Sequence, residues 1–553
     1  MEQARFIIAV ALSFVVFLVW DHFYNDKQNV KNIKPAAEVQ QPIESKSSAS
    51  DNFYKLQEKS SQTDEPAFQE NKPSRVFEIN TPLYSVKINE KNAAITSLKL
   101  MNYNETVDID SQKKELIPKE INNGTVLVGF DGKSVHGIEN ANYTSDLESE
   151  KLVLDKGSKE VKLYWKSPEG IIIEKKYKFS ADTYLIGLKV SVLNQSSQSM
   201  KDRLFVSLES YNVGNKSTNS FEGPSALIND SLEQVKLKNI EEKNTYPGVI
   251  KWISVQDRYF MSAVIPMTST EANMRLYLKE KNMGYIETQY LLPEKEIRPG
   301  EQEQIEFNLF FGPKSLKILG GLGYDLNKSV NFGWFDFLAK PVLYAMNFLY
   351  GFIPNYGVVI IILTILFKAM FWPLGAKSYK SMNEMRKIQP LLAELKEKYG
   401  NDKKRMNEEL MSLYKTYKIN PMGGCLPMVA QLPVFFAFYR MLYETIELRH
   451  APFIFWIKDL SAPERLFHFG FTIPFMEPPY GIPVLTIIMG ATMFIQQKMT
   501  PAVGDPTQAK MMMFLPLIFT VIFINFSAGL VLYWLFNNVL SILQQHIISR
   551  KTA

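Results

Sequence analysis

Lys368 is the residue with the most chemistry to explain in this 553-residue chain, because it sits inside the apolar run from Tyr356 to Leu374. An ammonium at the centre of a bilayer costs roughly 2.5–3.5 kcal/mol unless it snorkels, pairs or faces water. Two readings stay open. About nine residues, or ~13 Å of helix, separate it from Lys377, so its stem can reach the cytoplasmic headgroups. Alternatively it faces a water-filled interior, with Thr364 one helical turn away on the same face. A second polar group recurs near the C-terminus, where Trp534, Asn538, Ser541 and Gln545 form a stripe with Tyr533, Asn537 and Gln544 beside it. Gln431, Gln496 and Gln497 lie in other apolar runs, and together these side chains either bridge helices or wall a groove. Enzymatic signatures are absent. The sequence holds no phosphate-binding loop, no GxSxG and no HExxH, and its five histidines are scattered without ligand spacing. No cofactor, metal or small-molecule substrate is expected.

The elements that must position these residues are strongly uneven along the chain. Phe6 to Trp20 is apolar, follows Arg5 and lacks a small-residue cleavage site, so 1–24 reads as an uncleaved signal anchor and first span. Residues 25–74 are rich in Gln, Lys, Ser, Asn, Glu and Pro and cannot bury enough surface to offset ordering entropy, which makes them a disordered linker. Period-two runs such as Ser85-Val86-Lys87-Ile88 and Gln304-Ile305-Glu306-Phe307, punctuated by Asn-Gly, Asp-Gly and Pro-Gly turns, fill 75–313. That texture predicts a large antiparallel β-sandwich. With one cysteine, Cys425, its stability must come from its core.

Beyond Pro313 the chain turns helical. An aromatic-rich helix is expected in the interface plane over 327–350. Spans two to six are expected over 355–375, 422–446, 481–499, 510–525 and 529–548, with Asn525 to Gly529 as the turn between the last two, followed by a short tail, 549–553. Lys377, Lys380, Arg386, Lys387, Lys498, Lys510, Arg550 and Lys551 then fall on one side, which the positive-inside rule makes cytoplasmic. The β-domain and the 447–480 loop are accordingly outside. Residues 376–421 are expected to form a cytoplasmic hairpin: Met385, Ile388, Leu392, Leu395 and Tyr399 pair with Met406, Leu410, Leu413 and Tyr417, and Pro390 kinks the first arm. From Ala376 to Lys418 this segment carries eleven Lys/Arg against six Asp/Glu, including Lys403, Lys404 and Arg405. Fifteen of the 23 methionines fall between Met370 and Met513, supplying an adaptable apolar surface.

Three segments carry a resemblance: Lys418-Ile419-Asn420-Pro421-Met422-Gly423-Gly424-Cys425-Leu426-Pro427, Glu447-Leu448-Arg449 through Pro452-Phe453 to Trp456-Ile457-Lys458-Asp459-Leu460-Ser461, and Gly529-Leu530-Val531-Leu532-Tyr533-Trp534. With the whole architecture, they make the chain similar to the YidC/Oxa/Alb membrane-protein insertases in their Gram-negative form. The resemblance implies a five-span core enclosing a hydrophilic groove open to cytoplasm and lipid, a β-supersandwich in the periplasm, and an inner-membrane location with the N-terminus cytoplasmic. It implies that Lys368 holds the groove charge, where this bacterial branch usually has Arg, so the charge is kept and the planar fork lost. Thr364, Gln431, Tyr533 and Trp534 would contact substrate, and the basic hairpin would recruit ribosome and signal recognition machinery. Expected partners are nascent membrane proteins, the Sec translocon and the lipid bilayer, and a chaperone role goes with them. Two other readings are a secondary transporter using Lys368 for ion coupling and an envelope scaffold acting through the β-domain. No internal repeat of the kind transporters show is present.

Overall fold

The computed structural model describes residues 74–211, 220–280, 284–399, 402–417, 426–499 and 506–552. The expected anchor 1–24, the linker up to residue 73 and the segment Lys418 to Cys425 lie outside the described residues.

Val76 to Pro313 is a β-sandwich. One sheet has five strands and the other thirteen. Strand Ile171–Ser180 shows why the sequence folds this way: its residues alternate between buried and half-exposed, and Ile171, Ile173, Tyr177 and Phe179 face the core. Pairing is antiparallel apart from Val76–Asn80 against Lys151–Val153, which run parallel and depart from the expected texture. The last strand, Gln302–Pro313, lies between Leu185–Asn194 and Phe260–Pro266 and delivers the chain to the helical region.

Helix α1 (Leu316–Leu322) leads to α2 (Asp336–Tyr350), α3 (Tyr356–Met370), α4 (Trp372–Lys387), α5 (Gln389–Tyr399), α6 (Lys403–Thr416), α7 (Leu426–Glu444), α8 (Val484–Met499), α9 (Pro506–Phe523) and α10 (Ala528–Thr552). Helix α2 buries Ala339, Val342, Leu343 and Met346 and exposes Phe337, Tyr344 and Phe348, while its few polar groups pair off, Asp336 with Lys340 at 2.8 Å and Asn347 with Tyr356 at 3.3 Å. The junction with the sandwich is polar and specific. Arg258 lies 3.6 Å over the Tyr443 ring while its Nε donates to the Tyr443 carbonyl at 2.6 Å, and Ser315 Oγ donates to Glu447 at 3.1 Å.

Two expectations are corrected by the helix boundaries. The expected second span, 355–375, is two helices: α3 stops at Met370 and α4 departs at 64°, with Pro373 in its first turn, where its missing N–H is harmless. Pro390 likewise does not kink one arm; it sits in the first turn of α5 after the break at Ile388. Among the described residues no single helix is long and apolar enough to cross a membrane, although the bent pair reaches that length together. With 15 residues, α3 is about 22 Å long, short of a hydrocarbon core of about 30 Å.

In the hairpin, Met385 and Ile388 are buried with Leu391, Leu392, Leu413 and Tyr414 around them. Asp402 caps α6 by accepting from the Lys404 and Arg405 amides, both at 3.1 Å. Lys377, Lys380, Arg386, Lys387, Lys404 and Arg405 are exposed, so they leave a basic surface on this arm.

Candidate functional site

Lys368 occupies the last turn of α3, where the partial negative charge of the helix end favours a cation. Its ammonium turns toward α10. Nζ donates to Ser541 Oγ at 2.6 Å and lies 3.5 Å from Asn537 Oδ1. Ser541 Oγ in turn donates to the Asn537 carbonyl at 2.7 Å, and Gln431 Nε2 of α7 donates to Asn537 Oδ1 at 2.9 Å. Three helices therefore meet at one small polar cluster. Among the described residues no carboxylate pairs with Lys368, and the side chain is half-buried.

Magnitudes decide what this cluster can do. Hydrogen bonds between membrane helices average about 0.6 kcal/mol each, and the helix end adds roughly 0.3–1 kcal/mol. Against about 2.5–3.5 kcal/mol for a lysine at mid-membrane depth, these cover only part of the cost. The remainder is left for water or for an acceptor brought by a guest, since an ammonium has three donors and only one bond here is short.

The other sequence-derived candidates divide. Gln431 joins the cluster. Thr364 does not: its hydroxyl donates to the Ile360 carbonyl of its own helix at 2.7 Å and the residue is 2% exposed. Tyr533 and Trp534 point about 100° apart, as neighbours on a helix do, and meet different surroundings apart from Phe435, which both rings contact. Tyr533 is buried and stacks on Phe438 at 4.7 Å, whereas the half-exposed Trp534 packs edge-on against Phe435 at 4.7 Å and Phe523 at 4.9 Å. The expected stripe on α10 also splits into two. Asn537, Ser541 and Gln544 face α3 and α4, Gln544 donating to the Trp372 carbonyl at 3.0 Å; Asn538 and Gln545 face α8, bonding Thr492 at 3.4 Å and the Met499 carbonyl at 2.8 Å. Asn537 and Ser541 complete the cluster around Lys368, a role the resemblance did not assign to them. Their i, i+4 spacing on one face was the signal available to find them.

One end of the cluster's helices is closed by the 447–482 segment. Asn355 caps α3 through the Val358 amide at 3.1 Å and also donates to the Phe453 carbonyl at 3.0 Å. Gly357 lies so close to the Phe453 ring that any Cβ would collide with it, and the Gly529 amide donates to the Leu460 carbonyl at 2.9 Å where a Cβ would meet that oxygen at 3.1 Å. These contacts pin the segment Pro452 to Ser461 over the starts of α3 and α10. The resemblance motifs around Trp456 and Gly529 thus meet in space.

Comparison with known proteins decides the family. The description "60Kd inner membrane protein" matches residues 348–553 and "YidC periplasmic domain" matches 76–345. "Membrane protein insertase YidC" of Syntrophus aciditrophicus (strain SB) is 41% identical over 477 residues, 86% of this chain and 84% of that one. The protein of the same name from Geotalea uraniireducens (strain Rf4) is 39% identical over 555 residues, covering 99% of both chains. This chain belongs to the YidC family of membrane protein insertases. A crystal structure described as an active YidC insertase with its first transmembrane domain resolved overlays 86% of this chain and 93% of its own at 18% identity, with a TM-score of 0.37. Family membership brings with it an inner-membrane setting and a periplasmic sandwich, and it lends nothing to the transporter or scaffold readings.

Proposed function

We propose that this chain inserts nascent inner-membrane proteins, and helps them fold, through a polar groove centred on Lys368. The observation that carries this is the Lys368 ammonium held by Ser541 and Asn537 with no acidic partner among the described residues. A charge satisfied in this incomplete way lowers the cost of bringing the polar end of a hydrophobic segment below the headgroups. Partition of the apolar part into lipid then drives the segment out sideways.

In this reading α3 with the first turn of α4, then α7, α8, α9 and α10, form the five-span core and residues 1–24 the first of six spans. The sandwich is periplasmic, and residues 376–421, which take in the rest of α4 with α5 and α6, form a cytoplasmic hairpin. Its exposed Lys377, Lys380, Arg386, Lys387, Lys404 and Arg405, together with Lys403, would recruit the ribosome and signal recognition machinery. The Sec translocon is a second partner, and Gln431, Tyr533 and Trp534 shape the groove wall. The outward aromatics of α2, which include Phe337, Tyr344 and Phe348, suit a helix lying in the outer interface plane.

Charge, rather than guanidinium geometry, is the property required at position 368. Reconstituted into vesicles, Lys368→Arg should insert a single-span test substrate at the wild-type rate while Lys368→Ala falls at least tenfold, both variants eluting as folded protein on size exclusion. Wild-type insertion by Lys368→Ala would remove the groove charge from the mechanism.

A further inference from the structure

The loop between α7 and α8 carries an apolar surface that the groove does not use. Phe455, Phe467, Phe471 and Phe475 are 86%, 66%, 64% and 81% exposed. Phe467 and Phe471 belong to or flank the short hairpin of Leu466–Phe469 with Tyr480–Ile482. From Leu466 to Met476 the segment has no charged residue apart from the titratable His468.

The backbone works to present these rings. Phe455, Phe467 and Phe475 have φ of 55°, 56° and 63°, in the left-handed region that bulky side chains rarely adopt. A strained conformation that ends in an uncovered phenylalanine is unfavourable twice over in water. It becomes favourable once something apolar covers the ring.

Anchoring fixes where this surface lies. Arg465 donates from Nη1 to the Ile524 carbonyl at 2.8 Å, and Asn525 bridges back, donating from Nδ2 to the Phe475 carbonyl at 3.0 Å and accepting from the Glu477 amide at 2.9 Å. The segment is therefore tied to the turn between α9 and α10. Its far end runs through Ile482 directly into α8, whose outward Ile487 and Ile488 continue the same exposed apolar surface. With 16 residues, α8 is about 24 Å long, roughly 6 Å short of a typical hydrocarbon core.

We infer that this phenylalanine hairpin is immersed in the outer leaflet, at the boundary between glycerol and acyl chains, where it extends the short α8 and anchors the outer end of the bundle. The inference rests on the reading of α8, α9 and α10 as spans. Bilayer lipid is the occupant because the segment runs through Ile482 into α8 with its exposed Ile487 and Ile488, lacks the charges a protein rim carries, and exposes phenylalanine, a side chain that partitions into hydrocarbon.

Spin labelling tests it in the full-length protein. On a Cys425→Ser background, single cysteines replace Phe467, Phe475, the exposed Ile109 of the sandwich and the outward Ile518 of α9. Each is labelled with a nitroxide in phosphatidylcholine/phosphatidylglycerol vesicles, and its collision rate with oxygen is compared with that for a water-soluble nickel chelate. The expected oxygen-to-nickel ratio at 467 and 475 is several-fold above that at 109 and approaches that at 518. Ratios at 467 and 475 equal to that at 109, with 518 high, overturn the inference and point to a protein cover instead. A water-like ratio at 518 as well overturns the span reading and this inference with it.

Discussion

Two lysines, Lys175 buried in the sandwich and Lys368 half-buried in the bundle, are treated in opposite ways. Lys175 in the sandwich is 1% exposed, and its Nζ donates to the carbonyls of Asn92, Val126 and Ala93 at 2.8, 3.1 and 3.4 Å. Every donor is used. Burial still pushes its ammonium down to about 7. Lys368 in the bundle has one short bond to a hydroxyl and a longer approach to an amide oxygen. The sandwich uses its lysine to tie together three stretches of backbone, whereas the bundle leaves its lysine short of acceptors. In the proposed reading, incomplete satisfaction is what separates the groove lysine from the structural one.

That contrast can be broken in several ways. The largest expected effect is on stability: Lys175→Met takes the lysine donor from the Asn92 and Val126 carbonyls, while the Ala93 carbonyl keeps the Tyr177 hydroxyl at 2.8 Å, and should destabilise the sandwich by about 3 kcal/mol, seen as a lower denaturant midpoint, with substrate insertion unchanged at low temperature. Loss of insertion without loss of stability would erase the distinction between the two lysines.

A pH titration sharpens the same point within the sandwich. Desolvation, with Glu287 as the next cause, pushes the Glu209 carboxyl up to about 7, while Lys279 bonds both acids at 3.0 and 2.9 Å. A raised carboxyl binds its proton more tightly when folded, so its stabilising contribution is complete below the ordinary carboxyl range and is lost as pH rises through about 7. Glu209→Gln should flatten that pH dependence, whose full amplitude is about 3 kcal/mol, in unfolding curves taken from pH 4 to 8.

Smaller effects belong to the bundle. Ser541→Ala removes the short bond to Lys368 and should slow insertion roughly fivefold, the equivalent of about 1 kcal/mol, with little change in unfolding. Trp534→Tyr should leave insertion within about twofold, since the ring's neighbours Phe435 and Phe523 accept a smaller aromatic at a cost of less than about 1.5 kcal/mol. A larger defect at 534 than at 541 would move the centre of the site away from Lys368.

Much of this was legible in the sequence, and the failures have physical causes. Alternation of apolar residues announced the sandwich, and the polar residues of the last helix announced a buried polar face. Unforeseen was the end of α3 at Met370, because the apolar run continues through Phe371 and Trp372 and only Pro373 marks a new helix start. Thr364 was assigned by spacing to the face of Lys368, but its hydroxyl found a local carbonyl first, as threonines in helices do. The pairing of Lys368 with particular members of the α10 stripe could not be read from spacing alone. Asn537 and Ser541 lie 169 and 173 positions away, and only the packing of α3 on α10 selects them from a stripe that also serves α8.

Site-specific crosslinking tests the central claim most directly. A photoreactive phenylalanine at position 431 sits beside Lys368 in the cluster and leaves that lysine in place. Facing a ribosome-stalled nascent chain with its first hydrophobic segment exposed, it should crosslink to that segment far more strongly than the same probe at the outward position 518. Equal or weaker crosslinking at 431 would contradict a substrate groove built around Lys368.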